Sequence, residues 1–501
     1  MTTLAPLFPL FLLTGIALVA MLMSAMLRDA TRVAYFSAAG LLAVLGLSVH
    51  QWSQRPEATS LFGGAVTVDG FSYFFYVLFS IIGMVVVLMA LPQFESEGAN
   101  RGEFYTLMLF SLLGMFVMVS SDDLMTLFLG FETMSLAIYV LVGWRRHLLR
   151  SNEAVLKYFF LGSLAAAIFL YGIALIYGSA GSVNLQSIGA SLVAADSTLK
   201  LNAMFTAGVL LVLVGVAFKV AAVPFHMWAP DVYEGAPAPV TAFMATAVKA
   251  AAFALAVRLS LCFFAAEQLH AIAQFLLFNL AVLTMFVGNM FALVQRNVKR
   301  MLAYSGIAHT GYLLVGLAAL PSPDAGAALL FYLVAYAFTN LGALGVVTFL
   351  GGREEGLSNV EDFAGLAWRY PLAGICMAVC MFSLIGFPLT AGFFGKYMLF
   401  AAALKANMLS LVLVAIVNSI LSVYYYLRVV VTMYMQPETD AAAARPALPV
   451  ATQLVLGYTT CAVVWAGLGT FNITPLLPGL SPLVGRAEAS IQSLISPPIR
   501  R

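Results

Sequence analysis

The sequence predicts an all-α integral membrane protein with about fourteen transmembrane helices. Of its 501 residues, 62% are hydrophobic and only 9% are charged, whereas soluble proteins carry about 25% charged residues. The mean hydropathy is +0.98. Backbone groups in lipid must bond internally, and the apolar runs are too long for barrel strands, which leaves a bundle of helices. The net charge of +2 favours neither nucleic acid nor an acidic substrate as a partner.

Each predicted span is an apolar run of about 20 residues, the length that crosses the hydrocarbon core of a bilayer. The first run, Leu7 to Leu27, has no basic residue before it, and "MSAML" near its end is a poor cleavage site. We therefore expect a retained span and not a signal peptide. No polar stretch is long enough to fold as a soluble domain. The predicted spans lie near 7–27, 33–52, 70–92, 104–121, 123–144, 154–178, 203–223, 238–263, 270–294, 300–319, 325–350, 371–400, 408–435 and 450–470.

The basic residues of the connections predict the orientation. An even number of spans places both termini on the same side, and short loops rich in Lys and Arg stay in the cytoplasm. Alternate connections are basic, and the others hold little beyond Arg55, Lys200 and Lys405. Both termini are therefore expected outside the cytoplasm. The cytoplasmic set comprises Arg28, Arg32, Arg101, Arg145, Arg146, Arg150, Arg296, Lys299, Arg300, Arg353, Arg369 and Arg445.

Three lysines lie deep inside predicted spans, where an ionisable group costs at least about 2.5–3.5 kcal/mol and is a candidate for function. Lys219 lies in the seventh span, Lys249 is central in the eighth, and Lys396 lies in the twelfth. Glu132, near the middle of the fifth span, is the natural partner for one of them. Buried ammonium groups without a task would be expelled or neutralised, so we expect these three to carry function.

Four further residues, Lys157, His226, Lys299 and His309, are secondary candidates, and most have a plainer interpretation. Lys157 could snorkel to the membrane surface, and Lys299 in "QRNVKR" could simply set the topology. His309 could be a neutral side chain that is hydrogen-bonded between helices. His226 lies two turns beyond Lys219 and is a candidate proton relay. Arg258 lies toward the end of a span, where snorkelling is expected.

Two prolines interrupt spans close to these lysines. Pro224 removes the helical hydrogen bond to the carbonyl of Val220, one residue past Lys219. Pro388 interrupts the span before Lys396 in the same way. Interrupted helices at membrane depth occur in transporters, where the freed backbone groups line a polar cavity.

A buried carboxylate beside a buried lysine suggests a proton switch. A carboxylate stabilises a neighbouring ammonium in a low-dielectric site. Movement of Glu132 toward or away from Lys219 would therefore make this lysine hold or release a proton. The residues alone predict a proton or cation transporter.

The motifs of nucleotide hydrolysis and electron transfer are missing from the sequence. We find no phosphate-binding loop, dinucleotide fingerprint, iron–sulfur cysteine set or paired haem histidines. The driving force is then expected to come from an ion gradient or from partner subunits. The cysteines are expected to be buried free thiols, because no second pair completes a metal site. They are Cys262, Cys376, Cys380 and Cys461.

Several separated motifs resemble one known family. "GVAFKVAAVPFHMWAPDVYEGAPAPVTAFMATAVKAAAFA", Gly215 to Ala254, is similar to the core signature of the antiporter-like subunits of respiratory complex I. "FLGFETMSLAIYVLVG", "QRNVKRMLAYSGIAHTGY" and "LIGFPLTAGFFGKY" fit the same family in the same order. These subunits are related to subunits of multi-component sodium/proton antiporters. The resemblance covers essentially the whole chain.

The resemblance implies fourteen spans with two inverted five-helix repeats, in which the seventh and twelfth helices are discontinuous. It implies three N-terminal helices in 1–103, one repeat in 104–263, a second in 264–435, and a last helix and tail in 436–501. Glu132 and Lys219 match the conserved carboxylate and its partner lysine. Lys249 matches the central lysine of the eighth span, and Lys396 the terminal residue of the twelfth. The secondary positions are matched by Lys157, His226, Lys299 and His309.

The family also implies a context. It predicts a proton-translocating subunit of NADH–quinone oxidoreductase in the bacterial inner membrane, with both termini periplasmic. Its expected partners are antiporter-like subunit M, the small membrane subunits and the lipid bilayer. No cofactor is expected in this chain, because NADH, FMN, iron–sulfur clusters and quinone belong to partner subunits. The alternatives are a subunit of a sodium/proton antiporter and a structural spacer that contributes only assembly contacts.

Overall fold

The computed structural model describes residues 2–27, 29–54, 58–194, 202–263, 267–352, 355–438, 448–468 and 481–495. Several topology markers lie outside these ranges, namely Arg28, Arg55, Lys200, Arg353 and Arg445. The described residues form an almost entirely helical bundle, as the sequence predicts, with one short two-stranded hairpin.

The N-terminal part consists of three long helices and the hairpin. Asp69 caps the third helix, because its carboxylate accepts a hydrogen bond from the backbone N–H of Ser72. A 3₁₀ turn, Thr2–Leu7, precedes the first helix. A second 3₁₀ turn, Phe62–Gly64, connects the two strands. The elements are α1 (Phe8–Met26), α2 (Ala30–Gln54), the antiparallel strands β1 (Thr59–Leu61) and β2 (Val66–Val68), and α3 (Gly70–Glu97).

The next group contains the first interrupted span. α8 ends at Lys219 and α9 begins at Trp228, so eight residues of irregular backbone separate them. A π-helical turn, Met244–Val248, joins α10 to α11. The helices are α4 (Gly102–Val119), α5 (Leu124–Val142), α6 (Leu149–Ala180), α7 (Leu185–Val193), α8 (Ala203–Lys219), α9 (Trp228–Gly235), α10 (Ala238–Phe243) and α11 (Lys249–Phe263).

The remaining helices contain the second interruption, between α16 and α17. They are α12 (Glu267–Leu293), α13 (Val298–Ala318), α14 (Pro323–Leu350), α15 (Leu366–Arg369), α16 (Pro371–Ile385), α17 (Ala391–Lys405), α18 (Leu409–Met435), α19 (Val450–Leu468) and α20 (Ser481–Ile495). One 3₁₀ turn, Val360–Phe363, precedes α15.

The span count agrees with the sequence. In the described part of the chain, 12 helical segments are long and apolar enough to cross a membrane unbroken. The pairs α8/α9 and α16/α17 supply two more, each divided at the predicted proline. The total is fourteen, and the seventh and twelfth spans are the discontinuous ones.

Glycines allow backbone-to-backbone packing in both halves of the bundle. A Cβ added to Gly114 on α4 would lie 2.4 Å from the backbone nitrogen of Met134 on α5. A Cβ on Gly288 of α12 would lie equally close to the nitrogen of Ala308 on α13. Small residues let membrane helices approach closely and gain van der Waals contact. This packing is important because moving an apolar side chain from lipid into protein contributes little free energy.

The centre of the bundle is the span formed by α10, the π turn and α11. All residues of its apolar stretch are buried inside the protein. In the apolar stretches of α1, α2 and α12, only 33% of the residues are buried. Lys249 therefore lies in the interior of the bundle.

Candidate proton-transfer site

Lys219 is the last residue of α8 and is buried where the seventh span breaks. Its Nζ donates hydrogen bonds to Oγ of Ser135 (2.8 Å) and to the hydroxyl of Tyr158 (3.1 Å). It also lies 4.9 Å from the centre of the Phe131 ring. An ammonium in this position is solvated by two hydroxyls and an aromatic face, which suits a group that exchanges a proton.

The break at Pro224 frees a carbonyl that a neighbouring helix uses. The carbonyl of Val220 accepts a hydrogen bond from Oγ1 of Thr310 at 2.7 Å. The same hydroxyl lies 3.1 Å from the carbonyl of Gly306 on α13. The interrupted backbone is thus satisfied by protein, as membrane depth requires.

Lys249 binds the same carbonyl of Gly306 that Thr310 contacts. Its Nζ donates to the carbonyl of Gly306 at 2.6 Å and lies 3.4 Å from the hydroxyl of Tyr336. The π turn ends immediately before it, and such turns inside α-helices are frequent at functional sites. A continuous polar contact therefore runs from the break beside Lys219 to Lys249.

His309 continues the line with tyrosine hydroxyls on both ring nitrogens. Nδ1 lies 2.6 Å from the hydroxyl of Tyr332, and Nε2 lies 3.1 Å from that of Tyr426. The Tyr426 hydroxyl is in turn 2.5 Å from Oγ of Ser305. The His309 ring packs against Tyr336 with the ring centres 5.1 Å apart, which brings it next to the Lys249 contacts.

Lys396 lies in the second turn of α17, and its side chain reaches back to the second helix break. Its Nζ donates to the carbonyls of Leu384 (3.0 Å) and Ile385 (2.9 Å) and to Oγ of Ser419 (2.8 Å). The carbonyl of Leu384 is the one that Pro388 leaves without a helical donor. Gly386 has a φ of +88°, and a Cβ there would lie 3.1 Å from the Lys396 side chain, so a side chain at this position would meet both strain and crowding.

The two helix breaks therefore share one feature, a freed backbone carbonyl that a side chain binds. Pro224 and Pro388 each free a carbonyl, which Thr310 and Lys396 respectively bind. Lys396 also lies 4.7 Å from the ring centre of Tyr312, which packs against His309. We call the line Lys219, Lys249, His309 and Lys396, with the hydroxyls and carbonyls between them, the lysine row.

Comparison with known proteins assigns the family. The family model described as NADH:quinone oxidoreductase/Mrp antiporter, TM, matches residues 121–422, which is more than half of the chain and contains the lysine row. The chain belongs to this family. The family resemblance predicted from the sequence motifs is thereby confirmed.

Similar full-length relatives carry one subunit name. NADH-quinone oxidoreductase subunit N of Trichlorobacter lovleyi is 44% identical over 423 residues, covering 84% of this chain and 86% of that protein. The subunit N of Paramagnetospirillum magneticum is 40% identical over 484 residues, covering 96% of each. The subunit N branch is also the one that "PFHMWAPDVYEGAP" and "TAFMATAVKAA" resemble, the counterpart of mitochondrial NADH dehydrogenase subunit 2. Lysine at 396 favours it over subunit M, where the resemblance implies glutamate.

Solved structures agree with this assignment. A chain of respiratory complex I from Thermus thermophilus with bound aureothin is 34% identical, with a TM-score of 0.77, and covers 94% of this chain and 100% of its own. A chain of the Mrp complex from a Dietzia species has a TM-score of 0.85 at 21% identity, covering 99% and 98%. The second likeness concerns the fold alone.

Glu132 lies beside the row but outside its hydrogen bonds. Among the described residues, its buried Oε1 has no hydrogen-bond partner, and no ion pair joins it to Lys219. It lies on α5 next to the exposed side chains of Leu129 and Leu136, one turn away on either side. Glu132 therefore makes no direct contact with Lys219, whose hydrogen bond is accepted by Ser135, one helical turn after Glu132 on α5.

Two secondary candidates lie away from the row. Lys157 is half-exposed and forms ion pairs with Glu153 and Asp231, both at 2.6 Å. His226 lies in the irregular segment next to Met227, whose side chain is 71% exposed. Its buried Nδ1 has no partner among the described residues, and it forms none of the hydrogen bonds that join the row.

Lys299 belongs to a buried ionic network rather than to an exposed loop. Its Nζ lies 2.5 Å from Oε2 of Glu355 and donates to the carbonyl of Ala236 at 2.7 Å. Arg145 binds Glu355 at 3.0 Å and Glu97 at 2.6 Å. The two acidic and two basic side chains balance, and we call them the Glu355 network.

The charges around Glu355 control its protonation. Burial alone would raise the pKa of this carboxyl, but Lys299, Arg145 and the backbone N–H of Ala238 lower its pKa to about 2. Glu355 is therefore ionised at every physiological pH, and the network stays intact.

Arg258 does not snorkel, contrary to its sequence interpretation. It is buried, and its guanidinium binds Asp122 (2.9 Å), Asp69 (2.9 Å) and the carbonyl of Val119 (2.9 Å). The two aspartates come from the connections before α3 and before α5. The arginine therefore joins α11 to these connections at one end of the bundle.

The sequence identified the ionisable members of the row but not the groups between them. The missed residues are neutral: Ser135, Tyr158, Thr310, Tyr336, Tyr426 and Ser419. Ser, Thr and Tyr are common in apolar helices, so residue type gave no signal. Only the partner across the helix interface makes each of them a candidate.

Proposed function

We propose that this chain is the subunit N-type, proton-translocating membrane subunit of NADH–quinone oxidoreductase, with no redox centre of its own. The observation that carries the proposal is the lysine row. Three buried lysines and a histidine on four helices, α8, α11, α13 and α17, follow one another through hydroxyls, carbonyls and aromatic ring contacts. Such a row can pass a proton along the membrane plane, because each member can hold a proton and touches a group that relays it.

The proposed direction follows from the topology. The chain lies in the bacterial inner membrane with both termini periplasmic, and the proposal keeps the division into 1–103, 104–263, 264–435 and 436–501. Protons reach Lys219 from the cytoplasm, move through Lys249 and His309, and leave through Lys396 to the periplasm. The gathering of Arg145, Lys299 and Arg300 at one end of the bundle supports a common cytoplasmic side.

Glu132 is proposed as the switch. Its Oε1 has no hydrogen-bond partner among the described residues, so a small movement of α5 or α8 could bring it to Lys219. Approach would favour the protonated lysine, and withdrawal would favour release toward Lys249. Quinone reduction in partner subunits, which hold NADH, FMN and the iron–sulfur clusters, would drive the movement. Lys157, His226 and Lys299 lie outside the lysine row. They are proposed to supply protons to it or to position the helix break.

Lys249→Met in the native membrane tests this function. NADH-driven quinone reduction and proton uptake into inverted vesicles should both fall by about a hundredfold, at the low end of what a positioned proton-transfer group contributes. The matched control is Lys405→Met, because Lys405 is exposed and ion-paired with Asp324 at the end of α17. It should leave both rates unchanged.

Other outcomes point to the other functions. If Lys249→Met leaves both rates intact in assembled complex, the chain is a structural spacer. If sodium-dependent proton exchange persists without redox partners and is lost in the variant, the chain is an antiporter subunit.

A further inference from the structure

A second feature of the molecule is an apolar groove between α3, α14 and α19. Its volume is about 620 Å³, and no member of the lysine row lines it. The aromatic part of its wall is formed by Trp52, Phe74, Phe331, Phe338, Tyr458 and Trp465. A concave apolar surface of this size needs an occupant, because the lining atoms otherwise lack contacts.

The groove ends where α3, α14 and α19 come into contact. Each of the three helices contributes about two turns, 74–81, 331–338 and 458–466, which corresponds to a length of about 10 Å. Beyond them α3 and α19 meet over α14. A Cβ on Gly345 would lie 3.2 Å from Leu456 and 3.9 Å from Met89. The open end faces the membrane surface that carries Trp52, and the shape suits a linear hydrocarbon chain.

A cation lies at the open end. The guanidinium carbon of Arg486, on α20, is 5.3 Å from the ring centre of Trp52, and Trp52 lines the groove. Arg486 is exposed and forms no ion pair with the described residues. A guanidinium stacked on a ring keeps its in-plane N–H donors free for a phosphate group.

We propose that this groove binds one acyl chain of an anionic phospholipid, whose phosphate is held by Arg486. Trp52 and Trp465 lie at the level of the headgroups, where tryptophan is enriched in membrane proteins. The acyl chain extends along Phe74 and Phe338. The lipid thereby joins the N-terminal helices to α14 and α19.

The test uses a photoreactive phosphatidylglycerol with a diazirine in its acyl chain. Inner-membrane vesicles that contain the assembled complex are irradiated, and adducts are mapped by mass spectrometry on peptides containing 458–466 and 74–81. Adducts are expected there, with competition from phosphatidylglycerol but not from phosphatidylcholine. Cys461, which lies exposed on the groove wall and is not buried as the sequence predicted, adds an independent readout, because lipid should slow its alkylation.

Substitutions separate the headgroup from the chain. Arg486→Gln should lower the adduct yield about fivefold, the equivalent of about 1 kcal/mol for one basic side chain at an anionic lipid surface. Arg486→Lys should retain most of it. Ala462 is half-buried on the groove wall. Ala462→Phe should fill the groove with a larger side chain and abolish the adducts. Arg32→Gln, an exposed arginine at the opposite end of α2, is the matched control and should change nothing.

Two results would overturn the proposal. Equal adducts from phosphatidylcholine and phosphatidylglycerol probes, unaffected by Arg486→Gln, would mean that any surrounding lipid fills the groove. No adduct in complex of normal subunit content, with Cys461 protected from alkylation in every lipid, would mean that a protein surface covers it.

Discussion

Tyr426 binds two neighbours at once. Its hydroxyl lies 3.1 Å from Nε2 of His309 and 2.5 Å from Oγ of Ser305. Ser305 lies one helical turn before His309 on α13, toward the end of the bundle that holds Lys299. This pair of contacts offers His309 a second polar connection, apart from the contacts that link it to Lys249 and Lys396.

Tyr426→Phe tests whether the hydroxyl relays protons. A lost hydrogen bond changes stability by only about 0.5–1.5 kcal/mol, so the complex should assemble. NADH-driven proton uptake should nevertheless fall severalfold, because His309 loses a proton-exchanging partner. The matched control is Tyr424→Phe, since the Tyr424 side chain is 62% exposed. Equal uptake by the two variants would remove Tyr426 from the pathway.

Glu355→Gln tests the buried network. Removing one partner of a buried ion pair leaves Lys299 and Arg145 undercompensated, and the expected loss is about 3 kcal/mol of stability. Because the folded pKa of Glu355 is about 2, below the ordinary value of about 4.3, its stabilisation is complete above pH 4.3. It is lost only as the pH falls toward 2.

The measurement is the melting temperature of the purified complex between pH 8 and pH 5. The difference between wild type and Glu355→Gln should be large and constant over this range. Glu361→Gln, in the same connection but exposed, should melt like the wild type. A difference that shrinks between pH 8 and pH 5 would contradict the low pKa.

The ionisable residues of the site could be predicted from the sequence. A charged side chain in an apolar span is energetically costly, so it is rarely present without a function. Lys219, Lys249 and Lys396 all lie buried as expected. Glu355 was missed, since it lies outside the predicted spans and gains its partners only when three connections meet. Lys299 was named, but its burial depends on the same meeting and could not be predicted.

At the scale of elements, the two interrupted spans carry the same kind of strain. Each break contains a non-glycine residue in the left-handed region, Ala221 at φ +58° and Leu389 at φ +72°. Such a residue costs roughly 1–2 kcal/mol. Strain of this kind persists when the surrounding structure determines it, and it is frequent at functional sites.

Ala221→Gly should relieve this strain and stabilise the complex by about 0.5–1 kcal/mol, after the entropy cost of glycine is subtracted. Ala222→Gly, at the next position, has no positive φ to relieve and should destabilise by about 0.4–1 kcal/mol. Opposite shifts in melting temperature, with proton uptake retained in both variants, are the expected result. Shifts of the same sign would show that Ala221 is not strained.

The breaks were predictable because proline lacks an N–H, whichever fold surrounds it. The predicted seventh span ended near 223, close to the observed end of α8 at Lys219. The π turn at Met244–Val248 was not predicted. Its alanine-rich sequence suits an α-helix equally well, so the turn depends on packing in the centre of the bundle.

At the scale of the whole molecule, buried ion clusters fix the two ends of the bundle. The Glu355 network joins α3, α13 and the connections after α5 and after α14 at one end. Arg258 with Asp69 and Asp122 joins α11 to two connections at the other. The lysine row lies between these clusters, so helix movements at the breaks can occur within a bundle that is held at both ends.

The central claim is that redox-driven proton movement passes through Lys219. The most direct measurement is NADH-driven quinone reduction together with proton uptake, in inverted vesicles that carry Lys219→Ala in normally assembled complex. We expect both rates to fall together. Intact proton uptake in that variant would contradict the account, and loss of cation–proton exchange with unchanged NADH oxidation would place the chain outside redox coupling.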